Sequence, residues 1–127
     1  MFELDVRRVF AAAHQLRDHG GGCERMHGHN WEVYLKLTGT RLNQLGLLVD
    51  FHDVGTALDM AISDLDHSFL NTVPPFDEIN PSCEHIARYI FIRCKEQIEG
   101  SEHTDIKVDS VKVFESEGCS ITYREDM

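Results

Sequence analysis

Hydrophobic and polar residues alternate along two stretches near the start of the chain. The even positions of the first stretch are apolar with one interruption, and the series ends on histidine: Phe2, Leu4, Val6, Arg8, Phe10, Ala12 and His14. A period of two residues is typical of a half-buried β-strand. The odd positions from His27 onward repeat the pattern in His29, Trp31, Val33, Leu35 and Leu37. We therefore expect two strands, separated by a loop at the glycine run 20–22.

A helical period replaces this alternation after Asp50, which is a suitable N-cap residue. The apolar positions that follow recur every three or four residues: Phe51, Val54, Leu58, Ala61, Ile62 and Leu65. They predict a first helix of about four turns. A second helix is expected after a proline-containing loop, with Ser82 as its N-cap and Gly100 as its stop. Its apolar stripe consists of Ile86, Ile90, Phe91, Cys94 and Ile98.

The last part of the chain predicts two more strands, from about position 106 to 114 and from 119 to 123, joined by a hairpin turn at Gly118. The apolar parity changes between Val108 and Val111, which indicates a β-bulge. The predicted order is β-β-α-α-β-β within one domain that spans the whole chain, residues 1–127. This order fits the α+β class, with a four-stranded antiparallel sheet and two helices on one face. An open sheet has two edges with unpaired backbone groups, so we expect self-association through them.

Composition narrows the choice of partners and location. The 127 residues carry a net charge of −10 with histidine neutral, whereas nucleic acids and anionic membranes bind basic surfaces. We therefore expect neither nucleic acid nor membrane as a partner. The first residues lack the pattern of a secretory signal, which predicts a cytoplasmic location and reduced cysteines. Cys94 and Cys119 fall at apolar positions of their elements and are predicted to lie in the core.

Three of the eight histidines stand at positions that suit a metal site. His27 and His29 are two apart on one predicted strand, so their side chains leave the same face roughly 6–7 Å apart at the backbone. His14 ends the neighbouring strand with matching parity. If the two strands pair across the glycine loop, three imidazoles converge on one point. Such a set suits Zn²⁺, with the fourth position open for water or substrate.

Cys23 lies four residues before His27 and leaves two interpretations open. In the first it is a fourth ligand that closes a structural Cys-His₃ site. In the second it is a nearby reactive thiolate that the metal and basic neighbours stabilise. The spacing fits both interpretations equally well.

Four other polar residues have an ordinary structural explanation when each is taken alone. His67 suits the end of a helix, where the dipole favours it, and Asp66 suits the surface. Glu115 fits a solvated turn before the hairpin, and Ser82 fits a helix N-cap. A functional role for these residues depends on the context in which they stand.

Longer strings give that context, and they run through the chain in order. They are Phe10-Ala11-Ala12-Ala13-His14, Cys23-x-x-x-His27-Gly28-His29-Asn30-Trp31, Val49-Asp50-Phe51, Leu65-Asp66-His67-Ser68-Phe69-Leu70-Asn71, Asn80-Pro81-Ser82-Cys83-Glu84 and Glu115. Together they resemble the 6-pyruvoyl-tetrahydropterin synthase superfamily. The three-residue gap between Cys23 and His27 is similar to that of its 6-carboxy-5,6,7,8-tetrahydropterin synthase branch.

The resemblance implies a tunnelling fold (T-fold) whose sheet edges join copies into an oligomeric barrel, a trimer or a hexamer. It implies conversion of 7,8-dihydroneopterin triphosphate to 6-carboxytetrahydropterin, acetaldehyde and triphosphate, on the route to queuosine. The roles it implies are Zn²⁺ ligands for His14, His27 and His29, catalytic residues for Cys23, Asp66 and His67, and pterin-binding residues for Glu115 and Ser82. Ser82 departs from the family pattern, which often has threonine there.

Several alternatives stay open. Glu24 directly follows Cys23, and some relatives use a glutamate near this position to form 6-hydroxymethyl-dihydropterin for folate synthesis. A pyruvoyl-forming activity is a second alternative, and a non-catalytic zinc-stabilised assembly module is a third. The triphosphate also requires basic groups, for which arginine is the natural clamp. The candidates are Arg7, Arg8, Arg17, Arg25 and Lys36.

Overall fold

The computed structural model describes residues 1–18, 24–99 and 105–125. The chain forms, in order, β1 (Phe2–His14), β2 (His27–Gly39), α1 (Phe51–Ile62), β3 (Ser68–Phe69), a 3₁₀ turn (Leu70–Thr72), α2 (Cys83–Ile98), β4 (Lys107–Ser116) and β5 (Cys119–Tyr123). The α+β class and the predicted order of the main elements are confirmed. Among the described residues no helix is long and apolar enough to cross a membrane.

The sheet has five strands in the order β3-β1-β2-β4-β5, so the prediction of four strands is wrong. The additional strand, β3, is two residues long and pairs in parallel with β1, where Ala12 lies opposite Ser68. A strand this short has no period of its own and reads as loop in the sequence. The other neighbouring pairs are antiparallel, as predicted.

The predicted β-bulge lies in β4. Lys36 of β2 pairs with Ser110, whereas the next residue, Leu37, pairs with Val108. Asp109 is therefore the additional residue, and it shifts the apolar positions of β4 from one parity to the other. This shift keeps the later residues of β4 facing the helices.

The core lies between the two helices and one face of the sheet. Its centre is the odd positions of β2, where Trp31, Val33, Leu35 and Leu37 have no exposed surface. Complete burial of one such side chain contributes about 1.5–3 kcal/mol. The indole N–H of Trp31 donates to the carbonyl of Ala12 at 3.1 Å, so its one polar atom is also satisfied. The pattern that predicted the strand is thus the pattern that builds the core.

Both predicted helix caps are confirmed. The Asp50 carboxylate accepts the His52 N–H at 2.8 Å, and the Ser82 hydroxyl accepts the His85 N–H at 3.1 Å. The first helix is shorter than predicted because Ser63 ends it with a hydroxyl bond to the Met60 carbonyl. The apolar spacing continues beyond that point because the following turn buries Leu65, although it is no longer helical. Gly100, the predicted stop of the second helix, lies outside the described residues.

The cysteines divide by environment. Cys94 is buried, as predicted, but Cys119 is exposed, and the prediction of a core position for it is wrong. Cys119 pairs with Ser116 directly beside the hairpin turn, where all residues from 116 to 120 are exposed. Gly118 has φ +88°, which explains the glycine at this turn. Burial raises the pKa of both Cys83 and Cys94 to about 12.

Candidate metal centre

Three histidines converge where β1 and β2 meet. His14 lies directly opposite His27 in the register, and His29 follows two residues later on the same face. The ring centroids are 4.6 Å apart for His14 and His27, 4.7 Å for His27 and His29, and 5.5 Å for His14 and His29. The strand pairing on which the sequence argument depended therefore brings the three rings together.

Backbone carbonyls fix the orientation of two of the rings. His14 Nδ1 is 2.8 Å from the Pro81 oxygen, and His27 Nδ1 is 2.9 Å from the Arg25 oxygen. A carbonyl oxygen only accepts, so each Nδ1 carries a hydrogen and each neutral ring presents the lone pair of Nε2. Outer hydrogen bonds of this kind are how proteins orient histidines that bind metals.

His29 is the third member of this cluster. Its Nε2 is buried and has no hydrogen-bond partner within the described residues. Desolvation lowers the pKa of His29; the Glu115 carboxylate opposes this, and the other two histidines add a smaller lowering. A lowered pKa keeps the ring neutral, which is the form that binds a metal.

Glu115 brings a carboxylate into the same place. Its Oε1 is 3.0 Å from His14 Nε2, 3.2 Å from His29 Nε2 and 3.6 Å from His27 Nε2. One ligand atom from each of the four residues lies within 4.8 Å of the others. The position of Glu115 beside the histidines was not predicted from the sequence. The apolar pattern of β4 does indicate this position. After the bulge, every second residue faces the helix side of the sheet, namely Val111, Val113 and then Glu115.

Asp66 and His67 form a pair in the turn after α1. His67 Nδ1 is 2.9 Å from Asp66 Oδ1, and the same oxygen accepts the Ala11 N–H at 3.0 Å. That N–H, and then His67, lower the pKa of Asp66. The His67 side chain is 82% exposed, and its backbone adopts φ +58°. The pair is therefore held against β1 with its imidazole free to contact another molecule.

The Asp66–His67 pair lies beside the end of β1, near the histidine cluster but not in contact with it. His67 and His29 border the same shallow cavity of about 420 Å³, whose other lining residues are Ala11, Ala12, Ala13, Gly28, Asn30 and Ser68. Ala11, Ala13, Gly28 and Asn30 alternate along the strands with His14 and His29, so their side chains leave the other face of the sheet. Within the described residues no hydrogen bond or ion pair joins His67 to the predicted metal ligands. Ser82, in turn, uses its hydroxyl to cap α2, and Cys23 lies outside the described residues.

Two asparagines that the sequence analysis left without a role hold the chain just after His14. Asn71 accepts the Gln15 N–H at 2.9 Å and donates to the Gln15 carbonyl at 2.7 Å. Asn80 accepts the Arg17 N–H at 2.8 Å and donates to the Arg17 carbonyl at 3.0 Å. Each amide side chain thus pairs with one residue as a neighbouring strand would, and extends the order of β1 beyond its last residue.

Glu24 holds the same segment from the other side. Its N–H donates to the Leu16 carbonyl at 3.0 Å, and its Oε1 accepts the Leu16 N–H at 3.1 Å. The same oxygen lies 3.9 Å from His27 Nε2. The carboxylate is therefore at the border of the histidine cluster and is fixed there by a backbone bond.

Most of the basic candidates are engaged elsewhere. Arg7 pairs with Glu32, Arg8 with Asp59, and Lys36 with Glu3. The Arg17 guanidinium donates to three backbone carbonyls, those of Asn71, Phe76 and Ile79. Arg25 is exposed and stands two residues before His27. Of the five candidates, it is the one placed by sequence next to the histidine cluster.

The fold and the site together define a class, an α+β protein whose sheet gathers three histidines and a carboxylate in the arrangement of a metal site. The sequence profile of the family described as 6-pyruvoyl tetrahydropterin synthase matches residues 3–126. The chain belongs to this family.

Individual relatives agree with this assignment. A protein of Synechocystis named 6-carboxy-5,6,7,8-tetrahydropterin synthase is 35% identical over 92 residues, which cover 68% of this chain and 70% of that protein. A protein of Pyrococcus furiosus named dihydroneopterin monophosphate aldolase is 28% identical over 109 residues, 86% and 85% of the two chains. The structure of Plasmodium falciparum 6-pyruvoyl tetrahydropterin synthase superposes with a TM-score of 0.78 at 22% identity and covers 99% of this chain and 98% of that one. The predicted T-fold is thereby confirmed.

Proposed function

We propose that this protein is a zinc-dependent 6-carboxy-5,6,7,8-tetrahydropterin synthase. It converts 7,8-dihydroneopterin triphosphate and water to 6-carboxytetrahydropterin, acetaldehyde and triphosphate, as a lyase on the queuosine route. The observation that carries the proposal is the convergence of His14, His27 and His29 at one point, in a family member similar to the Synechocystis synthase.

The donor set fits Zn²⁺. Three imidazoles present Nε2 toward a common centre, two of them fixed by carbonyls and the third kept neutral by desolvation. Neutral imidazole is a preferred zinc ligand, and a catalytic zinc site has three protein ligands and one exchangeable position. When bound, zinc supplies Lewis acidity to an oxygen of the substrate side chain.

The remaining proposed roles belong to the chain itself. Glu115 accepts two N–H bonds from the 2-amino-pyrimidinone edge of the pterin and so fixes the ring beside the metal. Ser82, whose hydroxyl caps α2 near Pro81, contributes a further polar contact to the ring. Cys23 removes a proton from the substrate side chain, and His67, held by Asp66, exchanges protons on the other side.

The position of His67 supports assembly. The His67 imidazole is 82% exposed and pairs with Asp66, not with its own histidine cluster, which supports a contact with the metal site of a neighbouring copy. We therefore propose a homo-oligomer, a trimer or hexamer built from 127-residue single-domain copies joined at their sheet edges. Arg25, exposed beside the metal site, is the proposed contact for the triphosphate. The protein acts in the cytoplasm on a small molecule, without nucleic acid or membrane partners.

A second candidate within the enzyme class is formation of 6-hydroxymethyl-dihydropterin. Two observations favour it over pyruvoyl formation, namely the Glu24 carboxylate 3.9 Å from His27 Nε2 and the name of the Pyrococcus relative. In this reaction Glu24 replaces Cys23 as the base. The Leu16 N–H on the same oxygen opposes this role, because an oxygen that already accepts a backbone hydrogen bond is less available to a substrate.

The direct test is to incubate zinc-loaded protein with 7,8-dihydroneopterin triphosphate and to identify the pterin by mass spectrometry. A 6-carboxytetrahydropterin product with released acetaldehyde supports the main proposal. A 6-hydroxymethyl product supports the Glu24 alternative, and a Glu24→Gln variant then loses it. Absence of turnover by metal-replete protein contradicts both.

The same material distinguishes a catalyst from a zinc-stabilised assembly module. Cys23→Ser retains stoichiometric zinc and the fold but loses turnover if Cys23 is catalytic. If Cys23 instead closes a structural site, the variant loses zinc and stability together. Zinc content by atomic absorption and the melting temperature separate the two cases.

A further inference from the structure

The distances around Glu115 have the dimensions of a tetrahedral metal site. Two ligand atoms of such a site are separated by about 1.63 times the bond length, so zinc bonds of about 2.0–2.1 Å place them roughly 3.3 Å apart. Glu115 Oε1 is 3.0, 3.2 and 3.6 Å from the three Nε2 atoms. The three distances from this oxygen are therefore those expected between one ligand atom of a tetrahedral site and its three neighbours, and all four ligand atoms lie within 4.8 Å of one another.

The positions of the histidine ring protons are a second indication of a cation between these four atoms. His14 and His27 commit their Nδ1 hydrogens to carbonyls, so in the neutral rings Nε2 is an acceptor. The Glu115 carboxylate oxygen is also an acceptor, and two acceptors face each other favourably only with a cation or a proton between them. His29 Nε2 lies 3.2 Å from the same oxygen but makes no hydrogen bond in the described part of the chain. One divalent cation at the centre would satisfy all four atoms at once.

The position of the Glu115 carboxylate among the histidines conflicts with its proposed role in binding the pterin ring. A pterin edge takes both oxygens of a carboxylate through two parallel N–H donors, whereas Oε1 here points at the histidines. The β4–β5 register shifts between Phe114 and Ser116 and leaves Glu115 unpaired in that hairpin. The Glu115 side chain can therefore change its direction without breaking a pair of this hairpin. Its side chain is 32% exposed, so one side of it faces solvent.

We propose that Glu115 is a ligand switch. In the resting protein its carboxylate is the fourth metal ligand and closes the site as His₃Glu. A molecule that presents the two N–H donors of a 2-amino-pyrimidinone edge takes the carboxylate and thereby opens the fourth coordination position. The proposal rests on the metal site of the proposed function, and it makes opening of that site conditional on recognition of the ring.

The test uses the protein loaded with Co²⁺, whose visible absorption reports coordination without any turnover. Glu115→Gln removes the charged ligand with little change in shape, and the matched control is Glu117→Gln, which is exposed in the adjacent hairpin turn. We expect Glu115→Gln to change the resting spectrum and to weaken Co²⁺ binding at least about tenfold, the lower limit found for mere outer partners of a metal ligand. Glu117→Gln should leave both unchanged.

The switch itself is tested on the unsubstituted protein, which avoids dependence on the folding of a variant. Saturation with 2-amino-4-oxopteridine, which lacks a side chain, should move the cobalt spectrum away from its resting form. The control, 4-oxopteridine, keeps the ring atoms that bind metals but lacks the 2-amino group, and it should not move the spectrum.

The outcomes separate the switch from the proposed function. If the resting spectrum and the Co²⁺ affinity of Glu115→Gln are unchanged, Glu115 is not the fourth metal ligand. If 2-amino-4-oxopteridine leaves the cobalt spectrum unchanged, or if 4-oxopteridine changes it equally, the ring does not take the Glu115 carboxylate from the metal. These outcomes contradict the switch but do not contradict the proposed zinc site or the proposed reaction. Failure of the unsubstituted protein to bind Co²⁺ or Zn²⁺ overturns the switch and the zinc-dependent function together.

Discussion

The side-chain amide of Asn80 pairs with the backbone of Arg17 through two hydrogen bonds, 2.8 Å to its N–H and 3.0 Å to its carbonyl. Sixty-three positions separate the two residues in sequence. The bond pair joins the loop that carries Pro81, whose carbonyl orients His14, to the segment that follows β1. The orientation of His14, a proposed metal ligand, and the path of the chain that leaves it are thus fixed by neighbouring residues of one loop.

Replacement of Asn80 by aspartate should weaken this connection. Asn80→Asp keeps the acceptor for the Arg17 N–H but loses the donor, and places a carboxylate oxygen against the Arg17 carbonyl. We expect the free energy of unfolding to fall by about 1–3 kcal/mol, the cost of a lost partner at a partly buried polar group. Denaturant titration of the zinc-loaded protein measures this change.

The matched control for Asn80 is Asn43→Asp. Both hydrogen bonds recorded for the Asn43 side chain are accepted by its Oδ1, from the Leu45 and Leu47 N–H groups, and aspartate retains that function. The control should therefore cost less than Asn80→Asp. Equal losses in the two variants would contradict a special role for the paired amide.

Labelling of each cysteine should depend on whether its side chain is buried, and not on whether it falls at an apolar position of its strand or helix. Cys83 and Cys94 are buried, and desolvation raises the pKa of each to about 12, so thiolate is scarce at pH 8. We expect iodoacetamide to leave both unlabelled in the native protein and to label both in denaturant, as read by peptide mass spectrometry. Native labelling of Cys83 at the rate of a denatured thiol would contradict its placement against the Val113 carbonyl.

The fold was accessible from the sequence where one face of an element is buried. The alternation through Phe10, Ala12 and His14 and through His29 and Trp31 fixed both strands and their inner faces, because a shift by one residue would expose the core. Pairing of those strands then follows, and the convergence of the rings follows from the pairing.

Features that depend on contacts distant in sequence were not accessible in this way. The strand Ser68–Phe69 exists only because it docks beside Ala12, and two residues carry no period. Cys119 has the parity of Ile121 but lies beside the exposed hairpin turn, which the alternation cannot indicate. Glu115 joins the histidines because the bulge at Asp109 changes the parity of β4, and this change places Glu115 on the same face as Val111 and Val113.

Acid stability should depend on Asp66. The Ala11 N–H, and secondarily His67, lower the pKa of Asp66 in the folded protein. A carboxyl group with a depressed pKa stabilises the fold above its ordinary pKa of about 4, and this contribution is lost as the pH falls through the lower folded value. Its size should not exceed about 1 kcal/mol, because the group is largely solvated.

The corresponding measurement compares urea unfolding of Asp66→Asn and the unsubstituted protein at pH 7 and from pH 5 to pH 3. The variant should be less stable at pH 7, and the difference should shrink below about pH 4. Asp64→Asn, also exposed in the same turn, is the control. A difference that grows toward low pH would have the wrong sign and would contradict the bonding of Asp66 to Ala11.

Zinc should stabilise the fold through its histidine ligands. A ligand that binds only the folded state adds about 2.7 kcal/mol at a free concentration one hundred times its Kd, so chelation should lower the melting temperature measurably. His29→Gln removes a ligand whose Nε2 faces the centre, and this variant should lose most of the zinc-dependent shift. His52→Gln, on the exposed first turn of α1, should keep it. Because the shift is read by calorimetry without substrate, it tests the ligand set independently of the reaction: an equal shift in both variants would mean that zinc binds elsewhere.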